Sequence, residues 1–252
     1  MSLVLSSTKV SRLASLRADL SDDFPNIAFL DCALMKNEKT EIWKSGADSG
    51  QSFLVVTHTP FNFILGEYTQ SELTGYINIL KEKQYPNLVF ANKSTLPDVN
   101  SNFKVHKRIY YSSWSDEGFH LPVLDSLKFS VEEIDENHLS QCAWVNRVSE
   151  VYGDSEGYLE SGYGYCALLD DKIISEVHGV IGTNVVEVGT TTLDDYRGQN
   201  LSSFMIYVMS KNMFAKGYKL SLSHDETNPA SKRLAEKTGY KNPKEYYLYS
   251  YE

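Results

Sequence analysis

Along residues 127–252 the hydrophobic positions switch between two periods, and each switch marks an element. In 127–134 (LKFSVEEI) apolar and polar residues alternate, which predicts a strand. From 137 to 152 the period lengthens to that of a helix, and one more short helix is predicted around 155–161. The run 163–193 returns to strand-forming residues. It is broken at Asp170-Asp171 and at Gly182-Thr183-Asn184, which predicts three antiparallel strands joined by tight turns. Leu201, Phe204, Met205, Val208 and Met209 then recur at helical spacing, and that run closes near Gly217. Residues 218–224 read as a strand, and 228–239 as a helix with Pro229 at its first position and Gly239 past its end. A strand over 244–252 finishes the chain. The order β-α-βββ-α-β-α-β predicts an α+β fold on one mixed, mostly antiparallel sheet flanked by helices.

The N-terminal half is less regular. A strand or hairpin is expected over 52–67, a helix over 70–83, a strand over 87–93, a short helix over 95–102 and a strand over 103–114. This order echoes the back of the second half, as a degenerate repeat would, although an unrelated α/β domain would give it too. Turn formers and a proline over 111–126 mark the seam. The expected domains are 1–120, an α/β domain of unknown role, and 121–252.

Composition changes the picture mainly by exclusion. The chain has 252 residues, and no apolar stretch approaches the roughly 20 residues of a membrane span. Its first 20 residues lack a long apolar run, so no signal peptide is expected. Cys32, Cys142 and Cys166 form no CxxC pair, which points to free thiols, a reducing cytoplasmic setting and no zinc or other metal. A formal net charge of −9 argues against nucleic acid as a partner and would suit a cationic one.

One stretch combines these elements with chemistry. Tyr196 to Ser203, YRGQNLSS, joins a strand to a helix. The first amides of such a helix have no intrahelical partners and lie at the positive end of its dipole, so they can hold phosphate oxygens. Arg197 could add a charge-assisted contact. From the loop alone a plain capped turn is the favoured reading.

The surrounding order decides otherwise. An Arg-x-x-x-x-small loop after the fourth strand, with NPASKRLAEKTGY before the last one, resembles the GNAT superfamily of acyl-CoA-dependent N-acetyltransferases across residues 127–252. YGYCALLDDKIIS, VEVGTTTLDDYRG and NPASKRLAEKTGY look like its zwittermicin-resistance type. The superfamily's loop pattern, Gln/Arg-x-x-Gly-x-Gly/Ala, falls here on Arg197, Gly198, Gln199, Asn200, Leu201 and Ser202. Asn200 replaces the first glycine and Ser202 the second small residue. Asparagine tolerates positive φ, so the backbone path can survive. The resemblance implies acetyl-CoA as cofactor, with Thr190, Thr191, Thr192 and Leu193 along its pantetheine arm. Asn228 and Ser231, at the start of the next helix, are further contacts.

Acetyl transfer to an amine needs a base and donors for the developing oxyanion. Glu187, inside the apolar strand VVEVG, is the base candidate, with a solvent-facing or salt-bridged strand residue as the other reading. The oxyanion donor is expected from a backbone amide near Thr192. Glu176 with His178, and His224 with Asp225, come next, although the first pair reads more readily as surface or structural and the second also as a helix entry. The resemblance places a general-acid tyrosine on the second helix of the pattern, and that position here is Ala235. The expected function is direct transfer to a small-molecule amine in a ternary complex. The alternative is a GNAT-fold binding or regulatory protein with impaired catalysis.

Overall fold

The computed structural model describes residues 5–7, 17, 20–35, 40–45, 52–83, 87–91, 103–117, 119, 124 and 128–251. The chain forms two compact units, Met1–Arg108 with Glu245–Glu252, and Ile109–Lys244. Each carries a mixed, mostly antiparallel sheet flanked by helices. The predicted short helix over 95–102 lies outside the described residues.

The first unit runs β1 (Leu5–Ser7), α1 (Ile27–Met35), β2 (Glu41–Ser45), β3 (Phe53–Val56), β4 (Asn62–Leu65), α2 (Gln70–Lys83), β5 (Asn87–Phe90) and the start of β6 (Phe103–Trp114). Strands β1 to β4 pair in sequence, antiparallel, and β4 pairs β5 in parallel across α2. Strand β12 (Tyr240–Tyr251) lies between β5 and β6, with Tyr247 opposite Phe90. Leu73, Tyr76, Ile77 and Leu80 line one face of α2 and pack on Leu54, Val56, Ile64, Leu88 and Phe90. Full burial of each such side chain is worth about 1.5–3 kcal/mol. The sequence pattern missed α1 and β2, which are short and weakly periodic.

The second unit runs β7 (Ser130–Glu133), α3 (Glu136–Leu139), α4 (Val145–Tyr152), α5 (Ser155–Ser161), β8 (Tyr163–Leu169), β9 (Lys172–Ile181), β10 (Val185–Thr192), α6 (Leu201–Ala215), β11 (Lys219–Asp225) and α7 (Pro229–Lys237). Strands β7 to β10 again pair in sequence, antiparallel, and β10 pairs β11 in parallel across α6. The two units therefore share one topology, β-α-βββ-α-β. Asp170 and Asp171 both adopt positive φ in the β8–β9 turn, as a two-residue hairpin requires. The Gly182 N–H donates to the Val185 carbonyl in the next turn.

The helix predicted as one element over 137–152 is two. The chain turns between α3 and α4 because the Glu176 carboxylate on β9 accepts the Ala143 and Trp144 N–H groups, both at 2.8 Å. A tertiary partner on another strand thus ends one helix and starts the next, which local periodicity cannot report. The buried stripe of α6 is Leu201, Met205, Met209 and Met213, packed on Val186, Val188, Leu220 and Leu222. Phe204 and Val208, expected within that stripe, are only half-buried. Among the described residues no helix is long and apolar enough to cross a membrane.

Candidate functional site

The site begins where two strands part. Strands β10 and β11 pair over Val185–Glu187 against Lys219–Ser221, after which β10 continues to Thr192 and β11 to Asp225. The departing stretch of β10 keeps its other neighbour. Thr190, Thr191 and Thr192 lie opposite Val177, Glu176 and Ser175 of β9. The Leu193 N–H donates to the Ile174 carbonyl of the same neighbour. Antiparallel ladders alternate the direction of their amides. That alternation turns the amides of Thr190 and Thr192 away from β9, toward the side β11 has left.

A cleft of about 660 Å³ lies at this end of the unit, formed by Thr190–Thr192, the Tyr196–Ser203 loop and one face of α7. It gathers Thr190, Thr191, Thr192, Arg197, Gly198, Asn200, Leu201, Ser202, Asn228 and Ser231. Leu193 and Gln199 are not among its lining residues. Leu193 borders a small pocket with Glu176 and Thr191, and the Gln199 amide donates to the Asp195 carbonyl at 3.5 Å. The sequence reading missed Arg233 and Lys237. Together with Ala230 and Leu234 they fall at helical spacing on the cleft face of α7, a signal that was there to be read.

The loop geometry answers what Asn200 does to the backbone. Asn200 sits at φ 64° and ψ 8°, in the left-handed region a glycine would occupy, and Gly198 also has positive φ. Asn200 is the N-cap of α6, yet its side chain makes no capping hydrogen bond, and the first turn carries no acidic residue. Its Oδ1 instead accepts from Lys237 Nζ at 2.7 Å. Arg197 leans back on the loop, with Nη2 2.8 Å from Asp194 Oδ1 and Nε donating to the Thr192 carbonyl at 3.3 Å. Ser202 Oγ lies 2.7 Å from Thr192 Oγ1, which is itself 2.7 Å from Ser175 Oγ. This hydroxyl chain fastens the helix start to β10 and β9. Asn228 caps α7, its Oδ1 accepting from the Ser231 N–H at 3.1 Å.

Glu187 stands at the last paired position, at the fork of the splay. It is 8% exposed, and Ser223 Oγ donates to its Oε1 at 2.5 Å. Glu176 and His178 lie on the same sheet face, opposite Thr191 and Gly189. They do not line the cleft, however. Trp144 stacks over His178, and its ring comes within 3.1 Å of where a Cβ on Gly189 would stand.

The Glu176 carboxylate holds the start of α4. Burial alone would raise its pKa, but His178 and the two backbone N–H groups outweigh burial and hold it below the ordinary carboxylate range. His178 Nδ1 lies 2.9 Å from the Tyr158 hydroxyl, tying α5 to β9. Cys142 approaches Glu176 and His178, with all three ligand-type atoms within 4.8 Å of one another. Burial pushes the Cys142 thiol well up, which leaves it protonated and a poor nucleophile.

The remaining candidates lie in packing and turns. Ala235 is fully buried in the core with Trp114 and Tyr240. His224 Nδ1 donates to the Asp225 carbonyl at 2.7 Å, and Asp225 Oδ1 accepts from the Thr227 N–H at 2.9 Å, as in a helix-entry turn.

Comparison with known proteins fits this geometry. The model of a family described as GNAT acetyltransferase matches residues 23–249. An uncharacterized N-acetyltransferase of Bacillus subtilis, YdfB, is 23% identical over 211 residues, 79% of this chain and 80% of that protein. A GCN5-related N-acetyltransferase-like protein from Streptococcus suis superposes with a TM-score of 0.69 at 23% identity, covering 96% of this chain and 98% of that one. A tandem GNAT protein from the clavulanic acid biosynthesis pathway gives 0.64 at 9% identity, covering 99% and 98%. With the family model spanning both units, the chain belongs to the GNAT acetyltransferase family.

Proposed function

We propose that this acyltransferase is acetyl-CoA-dependent and passes the acetyl group to the amine of a small molecule by direct attack within a ternary complex. The observation that carries the reading is the parting of β10 and β11 just beyond Glu187, beside a cleft whose other wall is the open start of α6. A cofactor with a phosphate-rich end and a thioester arm fits it. Open amides and Arg197 would meet the pyrophosphate. Thr190 to Thr192 would run along the pantetheine, with asparagine and serine contacts from Asn228 and Ser231. Among the sequence motifs, those shared with the zwittermicin-resistance type favour that branch of the superfamily.

In the reaction the amine nitrogen bonds to the thioester carbon and the C–S bond breaks. Glu187 takes the proton from the attacking nitrogen, directly or through water. The Thr190 and Thr192 N–H groups, turned toward the splay, would stabilise the developing oxyanion. Ala235 offers no acid, so the departing thiolate takes its proton from solvent. The acidic balance of the chain favours a cationic acceptor, in a cytoplasmic setting.

Buried Ala235 is the observation on the side of the second reading, a binding protein with impaired catalysis. The left-handed path of Asn200 speaks against it, because the loop keeps the backbone conformation that glycine would supply. Thiol release from acetyl-CoA across a panel of mono- and polyamines tests the two. Amine-dependent release that falls sharply in Glu187→Gln supports catalysis. Tight acetyl-CoA binding with no release on any amine would favour the binding protein.

A further inference from the structure

We propose that Lys237 is a pyrophosphate-binding residue of the cleft and that Asn200 is its positioning residue, an inference that rests on the cofactor reading above.

The argument starts from what Asn200 adds beyond a glycine. Its backbone already follows the left-handed path, so the difference lies entirely in the side chain. An N-cap asparagine ordinarily turns its oxygen onto an amide of its own helix. Asn200 does not. Its Oδ1 accepts from Lys237 Nζ at 2.7 Å, and Lys237 comes from the last turn of α7. The same side chain therefore does two things. It leaves the first amides of α6 to a ligand, and it holds an ammonium group beside them.

Charge favours Lys237 over Arg197, and the contact with Asn200 sets it apart from Arg233, which also lines the cleft. Arg197 already faces the Asp194 carboxylate at 2.8 Å, which offsets part of its charge. Lys237 instead meets a neutral amide oxygen, and among the described residues no Asp or Glu lines the cleft. An ammonium has three N–H donors, of which Asn200 takes one. The others can reach phosphate oxygens at the helix start without breaking the contact that holds the side chain. In this loop asparagine thus replaces the room a glycine would leave with a tethered cation.

Titration calorimetry with CoA, 3′-dephospho-CoA and pantetheine tests the assignment. Lys237→Gln should weaken CoA and 3′-dephospho-CoA alike, by about three- to tenfold, and leave pantetheine unchanged. Asn200→Gly should weaken the same two ligands by a smaller factor. The double variant should bind no worse than Lys237→Gln alone, because one interaction has been removed twice. Rising salt should erode wild-type affinity more steeply than that of Lys237→Gln.

Tighter CoA binding by Asn200→Gly would overturn the proposal, and so would unchanged binding by Lys237→Gln. A loss seen with CoA but not with 3′-dephospho-CoA would overturn it as well, by moving the contact to the 3′-phosphate. Failure of the wild-type protein to bind any of the three is a different result, and it would remove the cofactor reading itself.

Discussion

The starts of α2 and α6 occupy the same place in the two units, each following the fourth strand and leading to a parallel fifth one, yet they are chemically opposite. At α2, Thr69 and Glu72 cap each other. The Glu72 Oε2 accepts the Thr69 N–H at 2.8 Å, and Thr69 Oγ1 accepts the Glu72 N–H at 3.2 Å. The helix spends its amide on itself and places a carboxylate where an anion would sit. At α6 the cap residue turns its side chain outward, no acid follows, and two arginines and a lysine line the cleft. The strands differ too. Strand β4 ends at Leu65, two residues past its pairing with β5, whereas β10 runs on past the fork through Thr192. Shared topology supplies a helix start beside a parallel pair; only the residues at that start decide whether it is open to a ligand.

The largest expected effect tests whether the open end does chemistry. Glu187→Gln should lower turnover by roughly 10²–10⁴-fold while leaving acetyl-CoA affinity intact, since the carboxylate is the proposed proton acceptor and not a phosphate contact. Steady-state kinetics beside calorimetry separates the two quantities. Next comes closing α6 as α2 is closed. Ser202→Glu puts a carboxylate into its first turn and should weaken acetyl-CoA by about tenfold or more, through repulsion of phosphate at the helix start.

The polar support of the second unit should be felt in stability. Glu176→Gln replaces an acceptor of two backbone N–H groups with an amide whose NH₂ cannot accept, at a cost of about 1–3 kcal/mol by chemical unfolding. The folded pKa of Glu176 lies below its unfolded value. Its contribution is therefore fully present above the ordinary carboxylate range near pH 4 and is lost as pH falls through the lower folded value. Stability of Glu176→Gln should lack that part of the acid dependence. The smallest effect belongs to the closed end. Thr69→Ala should destabilise the first unit by about 1 kcal/mol and leave acetyl-CoA binding as it was.

Much of this was legible in the sequence, for identifiable reasons. The meander, α2, β6, α6 and α7 follow from clear periods and from turn residues such as Asp170, Asp171 and Gly217. The loop was read from Arg197 and the small residues after it, and Asn200 was recognised as tolerating the left-handed region it adopts. What escaped depends on partners distant in sequence. The break between α3 and α4 needs Glu176, some thirty residues on. The pairing of Asn200 with Lys237 joins the start of α6 to the last turn of α7, which no local window spans. Alternation put Glu176 and His178 on one strand face and left a structural role open beside a place in the cleft. The structural role holds, with Trp144 stacked over His178 and its N–H donating to Glu176. Alternation gives the face of a strand, not what another element lays over it.

The claim at the centre is that one helix start of the two is a cofactor site. Calorimetric titration of the full chain with acetyl-CoA, repeated with Ser202→Glu, tests it most directly. The account predicts one molecule bound per chain and a marked loss of affinity in the variant. Binding of two molecules, or binding that Ser202→Glu leaves untouched, would contradict it.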